Sequence, residues 1–305
     1  MRKLFFLCAA AFCFSMQPAK AQYYYYNNKY FDSPVVFELG VSGGVMNALT
    51  DLGGKKGIGK KFVKDLRWKT ARPSFGVYLG ATYNNVLAAR LQVSFGSVAG
   101  YDSILKNVAS STYGRYERNL SFKSKISEAQ LAFEVHPLFF KNYEDDEPPG
   151  LSPYLIFGVG FFQFDPQAKL GDNWYALHDL HTEGEGFPEY PDRKQYNLNQ
   201  FNLQGGLGLR YDLNGSFFFR LEFIHRKLFT DYLDDVSTNY IDPNLFFNYL
   251  PPNLASIAKL LANRKGELNP SDQTSIGDQR GDPKHKDSYF TIEFKFGMTF
   301  GRKRR

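Results

Sequence analysis

From Val35 onward, apolar and polar residues alternate with a period of two, the signature of strands with two unlike faces. In the first such segment Val35, Phe37, Leu39, Val41 and Val45 oppose Val36, Glu38, Gly40, Ser42 and Gly44. Phe75, Val77, Leu79, Ala81 and Tyr83 then alternate with Gly76, Tyr78, Gly80 and Thr82. The third segment sets Leu87, Ala89, Leu91, Val93 and Phe95 against Arg90, Gln92, Ser94 and Gly96. The fourth sets Ala129, Leu131, Phe133 and Val135 against Glu128, Gln130 and Glu134. Leu155 to Phe162, Phe201 to Arg210 and Phe217 to Arg226 continue the rhythm. It is cleanest at the end, where Phe290, Ile292, Phe294, Phe296, Met298 and Phe300 alternate with Thr291, Glu293, Lys295, Gly297 and Thr299.

Eight segments of roughly ten residues have the length that a tilted strand needs to cross a bilayer. The connections between them alternate in length. Asn84-Asn85, residues 138–153 and Asp212 to Ser216 are short; 47–73, 97–119, 165–200 and 230–287 are long. Short turns at one end and long loops at the other predict an all-β, transmembrane, eight-stranded antiparallel up-and-down β-barrel with long extracellular loops. A soluble sandwich would not order its loops this way.

The polar faces carry more information than the apolar ones. Glu38, Glu128, Glu134, Glu222 and Glu293 point inward on this pattern, as do Arg90, Arg210, Arg220, Arg226 and Lys295. An eight-stranded barrel is only wide enough for its own side chains. Balanced charges in that space should pair and plug it, because an unpaired buried charge is costly; a diffusion pore is therefore not expected. Glycines 40, 44, 76, 80, 96, 158, 160, 206 and 208 share the inner face and are expected to make room for the long arginines.

The N-terminus adds an address. Arg2 and Lys3 precede the apolar run Leu4 to Phe14, and Ala19-Lys20-Ala21 is a small-x-small cleavage site, so residues 1–21 read as a cleaved signal peptide. The run is too short for a spanning helix. Cleavage would remove Cys8 and Cys13, the two cysteines, and with them disulfide, thiol and Cys-metal chemistry. It would also remove Arg2, Lys3 and Lys20, lowering the net charge from +6 to +3. The basic balance is thus partly a property of the address, and nothing asks for nucleic acid. Thirty Phe and 20 Tyr coexist with a mean hydropathy of −0.39; one aromatic and one polar face per strand explain both values.

Other chemistry is sparser. Asp231, Asp234, Asp235 and Asp242 form an acidic cluster that could take Ca²⁺ through oxygen ligands; the spacing is not that of an EF-hand, and pairing with Arg226, Lys227 or Arg280 to order the loop is the simpler expectation. His178 and His181 have a metal-like spacing without an evident third ligand, and no Ser lies in a nucleophile elbow. No catalytic residue, metal or cofactor is expected. Lys55, Lys56, Lys60, Lys61, Lys64, Arg67 and Lys69 interleave with Phe62, Val63, Leu66 and Trp68, either as a solvated loop or as a contact to lipopolysaccharide phosphates. Leu254 to Asn263 reads as a short helix that caps the barrel mouth or meets a partner.

The loops also carry words more specific than periodicity. These are Arg118-Asn119-Leu120-Ser121-Phe122-Lys123-Ser124, Thr182-Glu183-Gly184-Glu185-Gly186, Thr230-Asp231-Tyr232-Leu233-Asp234-Asp235-Val236-Ser237 and Gln279-Arg280-Gly281-Asp282-Pro283. Together they resemble the outer-membrane β-barrel family of Bacteroidota that includes the type IX secretion component PorG. The resemblance runs from the first strand to Phe300, whose terminal aromatic is similar to the signal read by the barrel-assembly machinery. The basic tail 301–305 departs from that signal, and Lys55 to Lys69 has no counterpart in it. The resemblance implies residence in the cell outer membrane among lipid and lipopolysaccharide, and a non-enzymatic role beside a periplasmic ring built on a PorK-like lipoprotein. A stand-alone barrel for surface binding or envelope stability is the alternative, with a lipid-modifying or proteolytic barrel behind it. The chain is accordingly divided into signal (1–21), periplasmic lead (22–33), barrel (34–300) and basic tail (301–305).

Overall fold

The structure, a computed structural model, describes residues 30–53, 70–141, 149–271 and 274–304. The signal segment, most of the lead, the basic run Lys55 to Lys69 and Arg305 lie outside the described residues. Nine strands follow one another: β1 (Tyr30–Leu49), β2 (Arg72–Tyr83), β3 (Leu87–Tyr101), β4 (Ser121–Val135), β5 (Leu151–Leu170), β6 (Asn173–Ala176), β7 (Asn199–Asp212), β8 (Phe217–Leu228) and β9 (Ser288–Arg304). Each barrel strand pairs antiparallel with the next, and β9 returns to pair with β1 from Leu49↔Ser288 to Phe37↔Phe300. The result is a closed eight-stranded antiparallel barrel. Closure leaves no edge within the ring, the condition for strands to exist in hydrocarbon. The ninth strand, β6, is a short hairpin partner of the far end of β5, in a stretch that periodicity reads as loop.

Two of the turns at the chain-terminal end are built locally. Asn84 and Asn85 both adopt positive φ (49° and 59°), the mirror-image turn that suits the twist of a hairpin. In the β7–β8 turn, Asn214 accepts hydrogen bonds through Oδ1 from the amides of Ser216 and Phe217 (2.9 and 3.0 Å). The asparagine side chain, rather than a positive-φ glycine, thus shapes that turn. The β4–β5 connection starts with a 3₁₀ turn over Pro137–Phe140.

Strand lengths differ from the sequence expectation in one consistent way. The strands run on past the alternating segments into the long loops, so that β5 reaches Leu170 and β3 reaches Tyr101. Alternation stops earlier because above the apolar band both faces meet protein or water. At the other end, Tyr30↔Arg304, Phe31↔Lys303 and Asp32↔Arg302 continue the β1–β9 ladder past a register shift, beside Gly301 at φ 97°. The lead and the basic tail are therefore not wholly separate ends: residues 30–32 and 302–304 pair as backbone. The terminal strand does not stop at Phe300.

The outer face is a continuous apolar band. Phe37, Phe75, Leu79, Leu91, Phe133, Phe157, Phe201, Leu207 and Phe294 are all exposed, Phe201 by 65%. Rings meet across strands on that surface: Phe75–Phe95 at 5.8 Å, Phe161–Phe201 at 5.1 Å and Phe219–Phe294 at 5.1 Å between centroids. Apolar exposure on this scale far exceeds the patch a soluble monomer tolerates, and a lipid environment removes the cost. No helix among the described residues is long and apolar enough to cross a membrane. Phe290, at the loop end of the last apolar row, is the exception and is buried.

Candidate functional site: a sealed lumen beneath a locked loop cap

All ten charged residues assigned to the lumen lie inside, none more than 6% exposed. They form an unbroken chain of alternating charge. From the chain-terminal end, Asp212 meets Arg210 (3.0 Å), Arg210 meets Glu38, and Glu38 meets Arg220. Arg220 meets Glu134 (2.8 Å), which meets Arg90 (2.5 Å), which meets Glu222 (2.6 Å). Lys295 then bridges Glu222 (2.8 Å) and Glu293 (3.3 Å). Arg226 lies 3.9 Å from Glu293 and 2.7 Å from Glu128. Every base thus lies between two acids.

Neutral donors and acceptors add further contacts, while Arg90 Nε, Arg220 Nε and Glu293 Oε1 have no hydrogen-bond partner among the described residues. Tyr154 donates to Glu222 (2.5 Å), Gln92 to Glu293 (3.0 Å), and Asn202 and Gln204 to Glu128 (2.7 and 3.0 Å). Lys295 donates to Gln92 Oε1 (2.5 Å), and Arg226 donates to Gln130 (3.1 Å) and Thr291 (2.9 Å). A path for solute would have to break this chain.

The inner glycines have a different task from the one expected of them. A Cβ on Gly208 would stand 2.2 Å from the Tyr154 ring; on Gly40, 2.5 Å from the Tyr78 ring; on Gly297, 2.3 Å from Phe218. Most of the remaining inner glycines face strand backbone, side-chain amides or, at Gly96, Met46. The space is thus kept chiefly for rings and for close backbone approach, not for guanidiniums. The rings in turn support the arginines: Arg210 lies 4.1 Å and Arg220 4.9 Å from the Phe218 centroid, and Arg90 5.6 Å from that of Tyr78. Tyr154 and Phe218 were not evident as lumen residues, because an aromatic on the inner row reads as a break in alternation.

Above the charges the interior turns apolar. Met46, Phe122, Ile126, Phe162, Phe164, Leu228 and Tyr289 close the barrel from the strand tops. The long loops pack onto them through Leu177, Leu180, Phe187, Tyr196, Leu233, Val236 and Ile241. Among the described residues three helices lie in these loops: α1 (Tyr113–Arg118), α2 (Leu245–Tyr249) and α3 (Pro252–Ala262). Ala255, Ala258, Leu261 and Ala262 of α3 face inward, so this helix caps the mouth.

The loop words that carry the family resemblance are the fasteners of this cap. Glu183 accepts from the amides of Ser237 (3.0 Å) and Thr238 (2.7 Å) and from Arg280 (2.8 Å). Thr182 donates to Asp235 (2.5 Å), which also accepts from Tyr196 (2.7 Å). Asp234 accepts from the amides of Leu52 (3.1 Å) and Val236 (3.0 Å), and Asp231 from the Ser237 hydroxyl (2.7 Å). Thr230 Oγ1 accepts from the Tyr232 amide (3.2 Å), and the Tyr232 ring stacks 4.7 Å from Tyr196. Gly184 and Gly186 adopt φ of 75° and 82°, a conformation side chains resist. Asp235 adopts φ 62° without being glycine, a small strain held by its partners.

Of the basic partners expected for the acids, Arg280 is the one that engages; Arg226 turns down into the lumen and Lys227 lies on the outer row. Arg118 is a second clamp. It donates to Asp102 (2.8 and 2.9 Å) and to the carbonyls of Asp51 (2.8 Å) and Arg280 (2.5 Å), joining three loops. Asp102 and Asp287, which accepts from the Leu233 amide (2.9 Å), are anchors that no sequence pattern marks.

Among the described residues no three His, Cys, Asp or Glu side chains converge to hold a metal. His178 is occupied by Asp179 and the Tyr196 carbonyl (both 3.0 Å), and His181 by the Glu185 carbonyl (2.7 Å). A scan against protein-family models gives no match, and neither does a search of the curated proteins. Three solved structures illustrate what the chain is similar to in shape. The N-terminal β-barrel domain of Pseudomonas aeruginosa OprF is 10% identical, with a TM-score of 0.33, over 88% of this chain and 100% of that one. Neisserial surface protein A is 7% identical at 0.36, over 88% and 99%. Ail, the attachment invasion locus protein of Yersinia pestis, in complex with the heparin analogue sucrose octasulfate, is 9% identical at 0.35, over 87% and 97%. The architecture itself rests on this chain's own strand pairing.

Two expectations follow. Gly208→Ala forces the ring of Tyr154 away from Glu222 and should cost about 1–3 kcal/mol, read by urea unfolding in lipid vesicles. Gly205→Ala, on the same strand with open space around it, should stay within about 0.5 kcal/mol of the parent; equal losses would refute the packing role.

The second concerns pH. Burial pushes the carboxyls of the cap upward: Glu185 to about 8, Asp231 to about 7, Asp51 and Asp235 to about 6, and Asp234 and Asp287 well above the usual range. For Asp235 burial outweighs the opposing pull of Arg280. Folded pKa values above unfolded ones mean that the closed cap binds more protons, so its stability falls as pH rises between about 4 and 8. Limited proteolysis of the loops should therefore be faster at pH 8.5 than at pH 5.5 once corrected for protease activity; no difference would contradict the burial of these groups.

Proposed function

We propose that the chain is an integral outer-membrane β-barrel without enzymatic activity, serving as an assembly component rather than a channel. The observation that carries this reading is the unbroken chain of alternating charge from Asp212 to Glu128, with an apolar layer and a fastened cap above it. A barrel filled at three levels has its working surfaces at its two ends. Paired extensions of β1 and β9 past the barrel support an orientation with turns and termini in the periplasm, where short turns belong. The loop words resemble those of the PorG-containing family, and on that reading the turns and the basic end dock a periplasmic PorK-like lipoprotein ring of a type IX secretion apparatus. Outer-membrane lipid and lipopolysaccharide surround the barrel, and the barrel-assembly machinery inserts it through the strand ending in Phe300 and its extension.

A stand-alone barrel for surface binding is the second reading, favoured by one feature. The loop cap is ordered by side-chain hydrogen bonds on a scale that closing the mouth alone does not require.

Purified protein in planar bilayers should show no stable open conductance; a reproducible open state would refute the plug. Crosslinking in cells, followed by capture of the barrel, should retrieve a periplasmic lipoprotein, and deletion should impair secretion. Capture of no such lipoprotein together with intact secretion would reject the assembly reading in favour of the stand-alone one.

A further inference from the structure

The apolar wall of the barrel carries a shallow groove of about 510 Å³, within the size range of ligand pockets. Val93, Ala129, Leu131, Phe161 and Phe201 are among the residues that line it. Four of these form one cross-strand row: Val93 pairs with Ala129, Ala129 with Phe161, and Phe161 with Phe201. Ala129 is the low point of the row, a single methyl between a valine and a phenylalanine. The next row toward the loops is Phe95, Ser127, Gln163 and Asn199. Ser127, Gln163 and Asn199 are exposed and polar, so on β4, β5 and β7 the apolar band ends directly above the groove. The groove thus opens at the boundary of the band.

What stands above that opening is basic. The outward row of β4 continues from Ala129 through Ser127 to Lys125 and Lys123. The two small side chains leave a path along the strand, and Lys125 lies four residues, about 13 Å, beyond Ala129. Lys123 Nζ lies 5.8 Å from the ring centroid of Trp174, which is exposed on β6; such amphipathic rings gather at membrane interfaces. The neighbouring charges do not cancel the two lysines. Asp165 stands opposite Lys125 in register, and its Oδ2 accepts from Gln167 Nε2 (2.5 Å). Lys169 pairs with Asp172 (3.6 Å) and Arg264 with Glu267 (2.9 Å), each pair without net charge. Two lysines against Asp165 leave a positive balance at the mouth of an apolar groove.

We propose that this strip binds one molecule of lipid A, the phosphorylated and acylated anchor of lipopolysaccharide. An acyl chain lies in the groove at Ala129, and a phosphate meets Lys125 and Lys123. An apolar groove alone takes any chain; cations at its outer end select an anionic headgroup. The assignment rests on the orientation argued above, with the loops outside, which puts the lysines at the outer leaflet where lipopolysaccharide resides.

Native mass spectrometry of the protein in detergent micelles, titrated with lipid A or with phosphatidylglycerol, tests this. One lipid A should stay bound at collision energies that strip phosphatidylglycerol. The double variant Lys123→Ala/Lys125→Ala and, separately, Ala129→Phe should each weaken lipid A binding about tenfold, the scale of one charge-assisted contact. Ala89→Phe, on the outward row of β3 and not part of the groove, should leave it unchanged. Unchanged heat-modifiable mobility of the variants shows that the barrel is intact. Lipid A held no better than phosphatidylglycerol, unaltered affinity in either test variant, or an equal loss in Ala89→Phe would overturn the site. Labelling of Ser271→Cys in intact cells by a membrane-impermeant maleimide, against the parent as background, separates the site from the orientation. Labelling without selective retention of lipid A overturns the site alone; absence of labelling overturns the orientation and the site with it.

Discussion

The structure depends on one constraint: a barrel of eight strands has no room for bulk water, so each charge inside it must meet its opposite. Removing one ion from water costs several kcal/mol even after relaxation, and only close, multiply bonded partners recover that cost. The lumen meets this condition by strict alternation along a chain of side chains drawn from β1, β3, β4, β7, β8 and β9. Glu38 ties Arg210 to Arg220, Glu134 ties Arg220 to Arg90, and Glu222 ties Arg90 to Lys295. Because Glu38, Glu134 and Glu222 each reach an arginine on a non-adjacent strand, the network fixes register across the barrel as well as between neighbours. A one-residue slip of any strand would turn its charges to lipid and its phenylalanines inward.

That constraint also explains the division of aromatic residues. Outside, rings are exposed and meet in cross-strand pairs. Inside, Tyr78, Tyr154 and Phe218 fill the volume between guanidiniums, each against a glycine on a facing strand. The mean hydropathy of the chain averages these two populations with the charges and so conceals a membrane surface. The same averaging applies to charge, since the lumen contributes nearly equal numbers of acids and bases to the total.

The barrel, its strand number, the sides of its strands and the ten inner charges were readable in the sequence, because a half-lipid, half-lumen strand writes its environment residue by residue. Four things were not readable. The partner of each charge depends on diagonal geometry across the lumen, which no spacing within a strand records. The role of the glycines was misassigned, since the neighbour of Gly208 is Tyr154, more than fifty residues away, and not a nearby arginine. The loop cap was visible as words without grammar. Glu183, Asp234 and Arg280 stand in separate loops, and their common purpose exists only once backbone amides of other loops are brought to them. Strand lengths were underestimated for a related reason: above the lipid band, pairing continues after alternation has stopped.

The cap and the lumen solve the burial of carboxylates in opposite ways. In the lumen each acid is matched by a guanidinium or an ammonium. In the cap, Asp51, Asp231, Asp234 and Asp287 outnumber the cations near them and are held mostly by amides and hydroxyls, with burial pushing them toward the neutral form. A network of ion pairs resists pH over a wide range, whereas a network of protonated acids loosens as they ionise. The barrel therefore provides a permanent seal, and the cap is the part whose order depends on its surroundings. The two clamps that escape this dependence, Arg118 and Arg280, are paired with Asp102 and Glu183 and tie separate loops together.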